Sequence, residues 1–161
     1  EDFLTHCVKD LSSAEPQLLD ALPEMAAAAT DPALADAFAT HLEETKSHVQ
    51  RLEQAAELLG NSPHGLTCKG MEGLVAEGQE ILRMEGSSVK DLALTGAGRK
   101  VEHYEIGSYC AAKELAEACG NHEVVALLQT TEEEEKSTEK LLMALGAKAV
   151  GSSPSASQPI A

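Results

Sequence analysis

The chain has 161 residues, enough for one domain with a sizeable core, and a formal net charge of -15 at pH 7. That charge argues against a nucleic-acid partner, which rewards clustered Lys and Arg, and against an anionic membrane surface. No apolar run approaches the ~20 residues needed to span a bilayer. The composition is 43% hydrophobic but only 2% aromatic, with no Trp. The core must therefore be built from Leu, Ala, Val and Met, which suits helices packed on helices.

Taken in chain order, the spacing predicts a first long helix over roughly residues 2–29. Its apolar stripe is Leu4, Val8, Leu11, Glu15, Leu18, Leu22 and Met25. Asp31-Pro32 breaks it and caps a second helix over roughly 32–59, whose stripe is Ala35, Phe38, Leu42, Thr45, Val49, Leu52, Ala56 and Leu59. Gly60-Asn61-Ser62-Pro63 stops that helix. A looser stretch from Cys68 to Met84 reads as a short crossover helix ended by Gly86-Ser87-Ser88. A third long helix covers roughly 89–118, with Leu94, Val101, Glu105, Ser108, Ala112 and Leu115 as its stripe, and is closed by Gly120. A fourth covers roughly 122–145 along Val124, Leu128, Thr131, Glu135, Thr138, Leu142 and Leu145, with Gly146 as its stop. Residues 147–161 read as a flexible C-terminal tail, Ser- and Pro-rich from Gly151. Two short connections and one long one define an all-α, up-down four-helix bundle with a long crossover, the signature of ferritin-like bundles.

Glu15 and Glu105 stand in the middle of apolar stripes. An ionised carboxylate there costs several kcal/mol unless it is paired, protonated or bound to a cation. The two hairpins share a spacing: 29 residues from Glu15 to Glu44 and 30 from Glu105 to Glu135. Glu44 is followed four residues later by His48, and Glu135 by Glu139, each pair on one helical face. Glu102, one turn before Glu105, is a seventh candidate. The expected ligand set is thus Glu15, Glu44, His48, Glu102, Glu105, Glu135 and Glu139. Hard carboxylate oxygens with one or two imidazoles suit two Fe or Mn ions, with Zn as an alternative, and O2 or hydrogen peroxide as the molecule held between them.

Blander readings compete. Glu15 completes a capping box from Ser12, with Pro16 in a first turn, or Pro16 kinks a continuous helix. Glu44 and His48 form a solvated face. His41 is a ligand or a hydrogen-bond partner of one. The Glu132–Glu135 run is mostly solvated, with Glu135 favoured over Glu134 to point inward. Tyr104 and Tyr109 pack the core or hydrogen-bond a ligand carboxylate. His103 lies off the stripe, and His6, His64 and His122 have no convergent partners. Cys7, Cys68, Cys110 and Cys119 contain no CxxC pair and read as reduced, buried thiols of a cytoplasmic protein.

The runs Ser13-Ala14-Glu15, His41-Leu42-Glu43-Glu44-Thr45, Cys68-x-x-Met71-Glu72-Gly73-Leu74, Val101-Glu102-His103-Tyr104-Glu105-Ile106-x-Ser108-Tyr109 and the Glu block ending at Lys136 resemble bacterial YciE/YciF-type stress proteins. The resemblance covers roughly residues 2–146. It implies a ferritin-like bundle, often a homodimer, with a rubrerythrin-like dimetal site and a stress-related, ferroxidase-like or peroxide-related role. Pro16, and Glu139 in place of Asp, depart from the pattern. The ferritin hallmark Glu-x-x-His is absent because Ser47 stands three residues after Glu44, leaving His48 to substitute. Three functions remain open: a dimetal oxidase or peroxidase/catalase-like enzyme, passive metal binding, and a structural bundle.

Overall fold

The computed structural model describes residues 2–85 and 88–152. The described residues form five helices: α1 Asp2–Ala28, α2 Pro32–Leu58, α3 Lys69–Leu82, α4 Ser88–Ala118 and α5 His122–Ser152. α1 packs on α2 and α4 on α5 as the two principal hairpins. α2 also faces α5 and α1 faces α4, so the four long helices close around a common interior, with α3 lying against α1 and α4. No described helix is long and apolar enough to cross a membrane.

The predicted ends hold because their capping chemistry is present. Asp31 is the N-cap of α2 and accepts from the Ala33 N–H, with Pro32 at the first helical position. α2 and α4 end on the same motif. Gly60 and Gly120 take φ of 67° and 73°, and the following Asn61 and Asn121 N–H groups donate back to Ala56 and Ala116 carbonyls. Gly146 does not stop α5, which continues to Ser152. This glycine serves close approach instead: a Cβ there would lie 3.1 Å from Thr95 Cγ2 on α4. Gly86, Ser87 and residues 153–161 lie outside the described residues.

α1 runs through both Pro16 and Pro23. The capping-box reading of Ser12 and Glu15 fails, since both are deep within α1 and the Ser12 hydroxyl donates to the Val8 carbonyl at 2.7 Å. Every predicted stripe residue of α1 is buried. On α2 the buried face is rotated toward His41, Thr45 and His48, at the expense of Leu42 and Val49. On α4, Tyr109 and Ala116 are buried in place of Ser108 and Leu115.

The core is split in two. One apolar cluster contains Leu18, Leu22, Leu34, Phe38, Leu94, Val101 and Leu142. The other contains Leu4, Val8, Leu11, Leu52, Tyr109, Ala112 and Leu128. On every long helix the inward residues between the two clusters are polar and buried: Glu15 on α1, His41, Thr45 and His48 on α2, Glu102 and Glu105 on α4, Thr131, Glu132, Glu135 and Thr138 on α5. A polar layer thus crosses the interior between two apolar plugs.

Candidate metal centre

Four carboxylates and two imidazoles meet in that layer. Single ligand atoms of His41, Glu102, Glu105 and Glu135 all lie within 4.8 Å of one another, as do those of Glu15, His48 and Glu135. Glu135 belongs to both groups. All six side chains are at most 2% exposed. Helical periodicity explains the convergence: Glu102 and Glu105 are one turn apart on α4, and His41 and His48 two turns apart on α2.

The hydrogen-bond accounting is unusual. Eight buried side-chain atoms have no hydrogen-bond partner among the described residues, and all belong to these six residues: Glu15 Oε2, His41 Nε2, His48 Nδ1, Glu102 Oε2 and both carboxylate oxygens of Glu105 and Glu135. Native interiors leave few such groups, so a cluster of them calls for an explanation. Two of the other atoms are tied down from outside the layer. Glu15 Oε1 accepts from the Tyr109 hydroxyl, and His48 Nε2 lies 3.0 Å from Glu134 Oε2.

Electrostatics follow from the crowding. Burial pushes the Glu102 and Glu105 carboxyls well above the usual range, and the Glu135 charge pushes them further. Glu15 is also raised by burial, with His48 opposing. Glu135 is lowered despite its burial, because His48 and His41 face it. Burial disfavours the His48 imidazolium, yet the nearby Glu135 and Glu15 outweigh that and push it up to about 10. Without a cation the layer therefore holds itself together by keeping protons.

Five of the seven sequence candidates come together here: Glu15, His48, Glu102, Glu105 and Glu135. Glu44 and Glu139 do not. Glu44 is 37% exposed at the side of the layer, its Oε2 3.5 Å from His41 Nδ1. Glu139 accepts from Arg99 Nε and Nη2 at 3.0 and 2.8 Å. His41 takes an inward place that the spacing assigned to Glu44. The pseudosymmetry explains why: thirty residues separate Glu105 from Glu135, and thirty separate Glu15 from Thr45, which is fully buried. The counterpart of Glu135 is thus Thr45, and one residue is about 100° of helical rotation. The missed signal was the seven-residue His41–His48 interval, which places both rings on the Thr45 face.

The remaining candidates sort by burial. His6, His64, His103 and His122 are exposed. Tyr104 donates to Asp10 and contacts Cys68 Sγ at 2.9 Å, not a carboxylate of the layer. Of the Glu run, Glu132 is also buried, between Lys113 and Lys136, each at 2.5 Å. All four cysteines are free, but only Cys68 is buried.

Tyr109→Phe is expected to lower the stability of the metal-free protein by about 1–3 kcal/mol, the cost of leaving a buried acceptor unpaired. Urea unfolding of both proteins in chelator measures it, and identical midpoints would show that the hydroxyl does not restrain Glu15.

A four-helix bundle with one long crossover and an inward ring of carboxylates and histidines defines a ferritin-like protein with a cluster that can hold a metal ion. The chain belongs to the family described as "Domain of unknown function (DUF892)", which it matches over residues 1–153. It is 42% identical over 141 residues to Protein YciF of Escherichia coli K12, covering 86% of this chain and 85% of that one. The crystal structure of that stress protein superposes with a TM-score of 0.91 at 40% identity, covering 94% of this chain and 97% of the other. YcfI of Rhodopseudomonas palustris gives a TM-score of 0.85 at 36% identity, covering 89% and 92%. A Xanthomonas campestris protein at 20% identity and TM-score 0.75 shares the fold.

Proposed function

We propose that this chain is a dimetal-carboxylate protein of the bacterial stress response, acting in the cytoplasm as a homodimer, with redox chemistry on Fe(II) and O2 or hydrogen peroxide. The observation that carries the reading is the set of eight buried ligand atoms that make no hydrogen bond, on six converging side chains. Those atoms fit a pair of cations. Four carboxylates balance the charge of two divalent ions, and a donor set of oxygens with two imidazoles suits Fe or Mn. His41, Glu102, Glu105 and Glu135 would hold one ion, and Glu15, His48 and Glu135 the other. Two such ions supply paired one-electron redox chemistry at a small oxidant. The protein's own part is to fix the ligands, exclude water with two apolar plugs, and hold Glu15 in place through Tyr109. The stress-related role rests on likeness to the E. coli stress protein YciF.

Metal content of protein purified without added metal, read by plasma mass spectrometry and by anomalous diffraction at the Fe and Mn edges, tests the reading. Two Fe or Mn per chain within the polar layer are expected, followed by oxygen or peroxide consumption. A layer that stays empty and refuses added Fe(II) and Mn(II) would leave a structural bundle with protonated core carboxylates. Metal without turnover would leave passive binding.

A further inference from the structure

The two histidines of the layer are held very differently. His48 presents Nδ1 to Glu135 Oε1 at 3.0 Å and to Glu15 Oε2 at 3.4 Å, with no hydrogen bond made there. Its other nitrogen, Nε2, points out of the layer to Glu134 Oε2 at 3.0 Å. Glu134 is itself clamped by Arg51, with Nη1 on Oε2 at 2.5 Å and Nη2 on Oε1 at 2.9 Å. Arg51 Nη1 also donates to Thr131 Oγ1 at 3.1 Å. Helical register builds this arrangement. Arg51 is one turn past His48 on α2, and Glu134 and Thr131 flank that turn on α5. A bidentate Arg–carboxylate pair is geometrically specific, and a carboxylate in it can only accept. Nε2 of His48 must then keep its proton whether the ring is charged or neutral, so Nδ1, between Glu15 and Glu135, is the nitrogen that gives up its proton to a metal ion.

His41 has no such support. Its Nδ1 lies 3.5 Å from both Thr138 Oγ1 and the half-exposed Glu44 Oε2, and no guanidinium holds that carboxylate among the described residues.

We propose that Glu134, clamped by Arg51, is a positioning residue that fixes His48 as an Nδ1 ligand, so that the Glu15–His48–Glu135 position binds its ion ahead of the one at His41. This rests on the dimetal reading above and deepens it by making the two positions unequal. A carboxylate on the far nitrogen sets the tautomer and ring orientation and raises the basicity of a ligating imidazole. Loss of such a partner typically lowers metal affinity 10- to 100-fold.

The test uses the full chain and Zn2+ as a diamagnetic probe. Calorimetric titration of metal-free wild-type protein is expected to show two unequal binding events. Glu134→Gln should weaken the tighter event about 10- to 100-fold and leave the weaker one unchanged. Arg51→Gln, which keeps Glu134 but releases it, should give a smaller loss of the same event. Imidazole 15N spectra of the Zn-loaded protein should show His48 protonated at Nε2 in the wild type and a mixture of tautomers in Glu134→Gln, a change that a surface ion pair would not produce. Unchanged affinities together with an unchanged tautomer in both variants would overturn the proposal. So would loss of the His41-side event instead. Wild-type protein that takes up no Zn2+, Fe(II) or Mn(II) would overturn the dimetal reading and this inference with it.

Discussion

Glu105→Gln is expected to abolish metal binding at the His41 side of the layer and, at the same time, to make the metal-free protein more stable. Both Glu105 oxygens are buried and unpartnered, and the carboxyl is held well above its usual range by burial and by Glu135. At neutral pH the metal-free fold therefore bears a desolvated acid that nothing in the protein satisfies. An acid held protonated above its unfolded range costs stability that grows with pH, and Gln, which does not ionise, removes that cost. For a domain of this size each kcal/mol raises the melting temperature by roughly 2–4 °C. Glu135→Gln should behave in the opposite way. Glu135 belongs to both ligand groups, so both ions are lost. It also faces His48 and His41, and its removal leaves a buried imidazolium short of its counter-charge, at about 3–5 kcal/mol. Thermal unfolding in chelator at pH 8, alongside metal content, distinguishes the two. A Glu105→Gln protein that melts lower than wild type without metal would mean that Glu105 is satisfied within the apoprotein, and the case for a cation would weaken accordingly.

The opposite signs bear on why the site was partly legible in the sequence. A carboxylate at the centre of an apolar stripe violates the local pattern, and such violations collect at functional positions. Glu15 and Glu105 stood out for that reason, and the bundle around them followed from four periodic stretches with recognisable caps. What failed were choices separated by one residue or decided by distant partners. Glu44 and Thr45 differ by about 100° on α2, and the apolar residues nearby, Leu42 and Val49, tolerate either rotation of that face. The structure settles the matter by turning His41 and His48 inward, where α5 presents Glu135. Glu139 looked like a ligand because it lies one turn from Glu135, but Arg99, forty residues away on α4, takes it. Gly146 looked like a helix stop because glycine usually ends helices. It lies inside α5, where the small residue lets α5 approach Thr95 of α4 closely. In each case the deciding partner lies on another helix, beyond the reach of local periodicity.

Metal-free protein is also expected to be most stable near pH 5 and to lose stability continuously toward pH 9, while metal-loaded protein does the reverse. Glu15, Glu102 and Glu105 have raised carboxyls, so between the unfolded value of ~4.3 and their folded values the native state binds more protons than the unfolded chain. Stability falls with rising pH across that window. His48 acts in the same direction. Its folded value of about 10 exceeds the ordinary 6.5, so its contribution is full below 6.5 and lost as pH rises toward 10. Glu132, Glu134 and Glu135 are lowered by their cationic partners. Their contribution is present above the ordinary carboxylate range and disappears on acidification, which sets the lower flank. Metal ions compete with the same protons, so the stabilisation they add grows with pH. Melting temperatures at pH 5, 6.5 and 8.5, with chelator and with Mn2+, should therefore diverge as pH rises. General repulsion from a net charge of -15 would also weaken the apoprotein at high pH, but Glu105→Gln separates the two causes. Its melting temperature should depend less steeply on pH than that of the wild type, whereas surface repulsion predicts parallel curves. A wild-type apoprotein whose melting temperature is flat or rising from pH 5 to 8.5 would show that the layer does not store protons in place of cations.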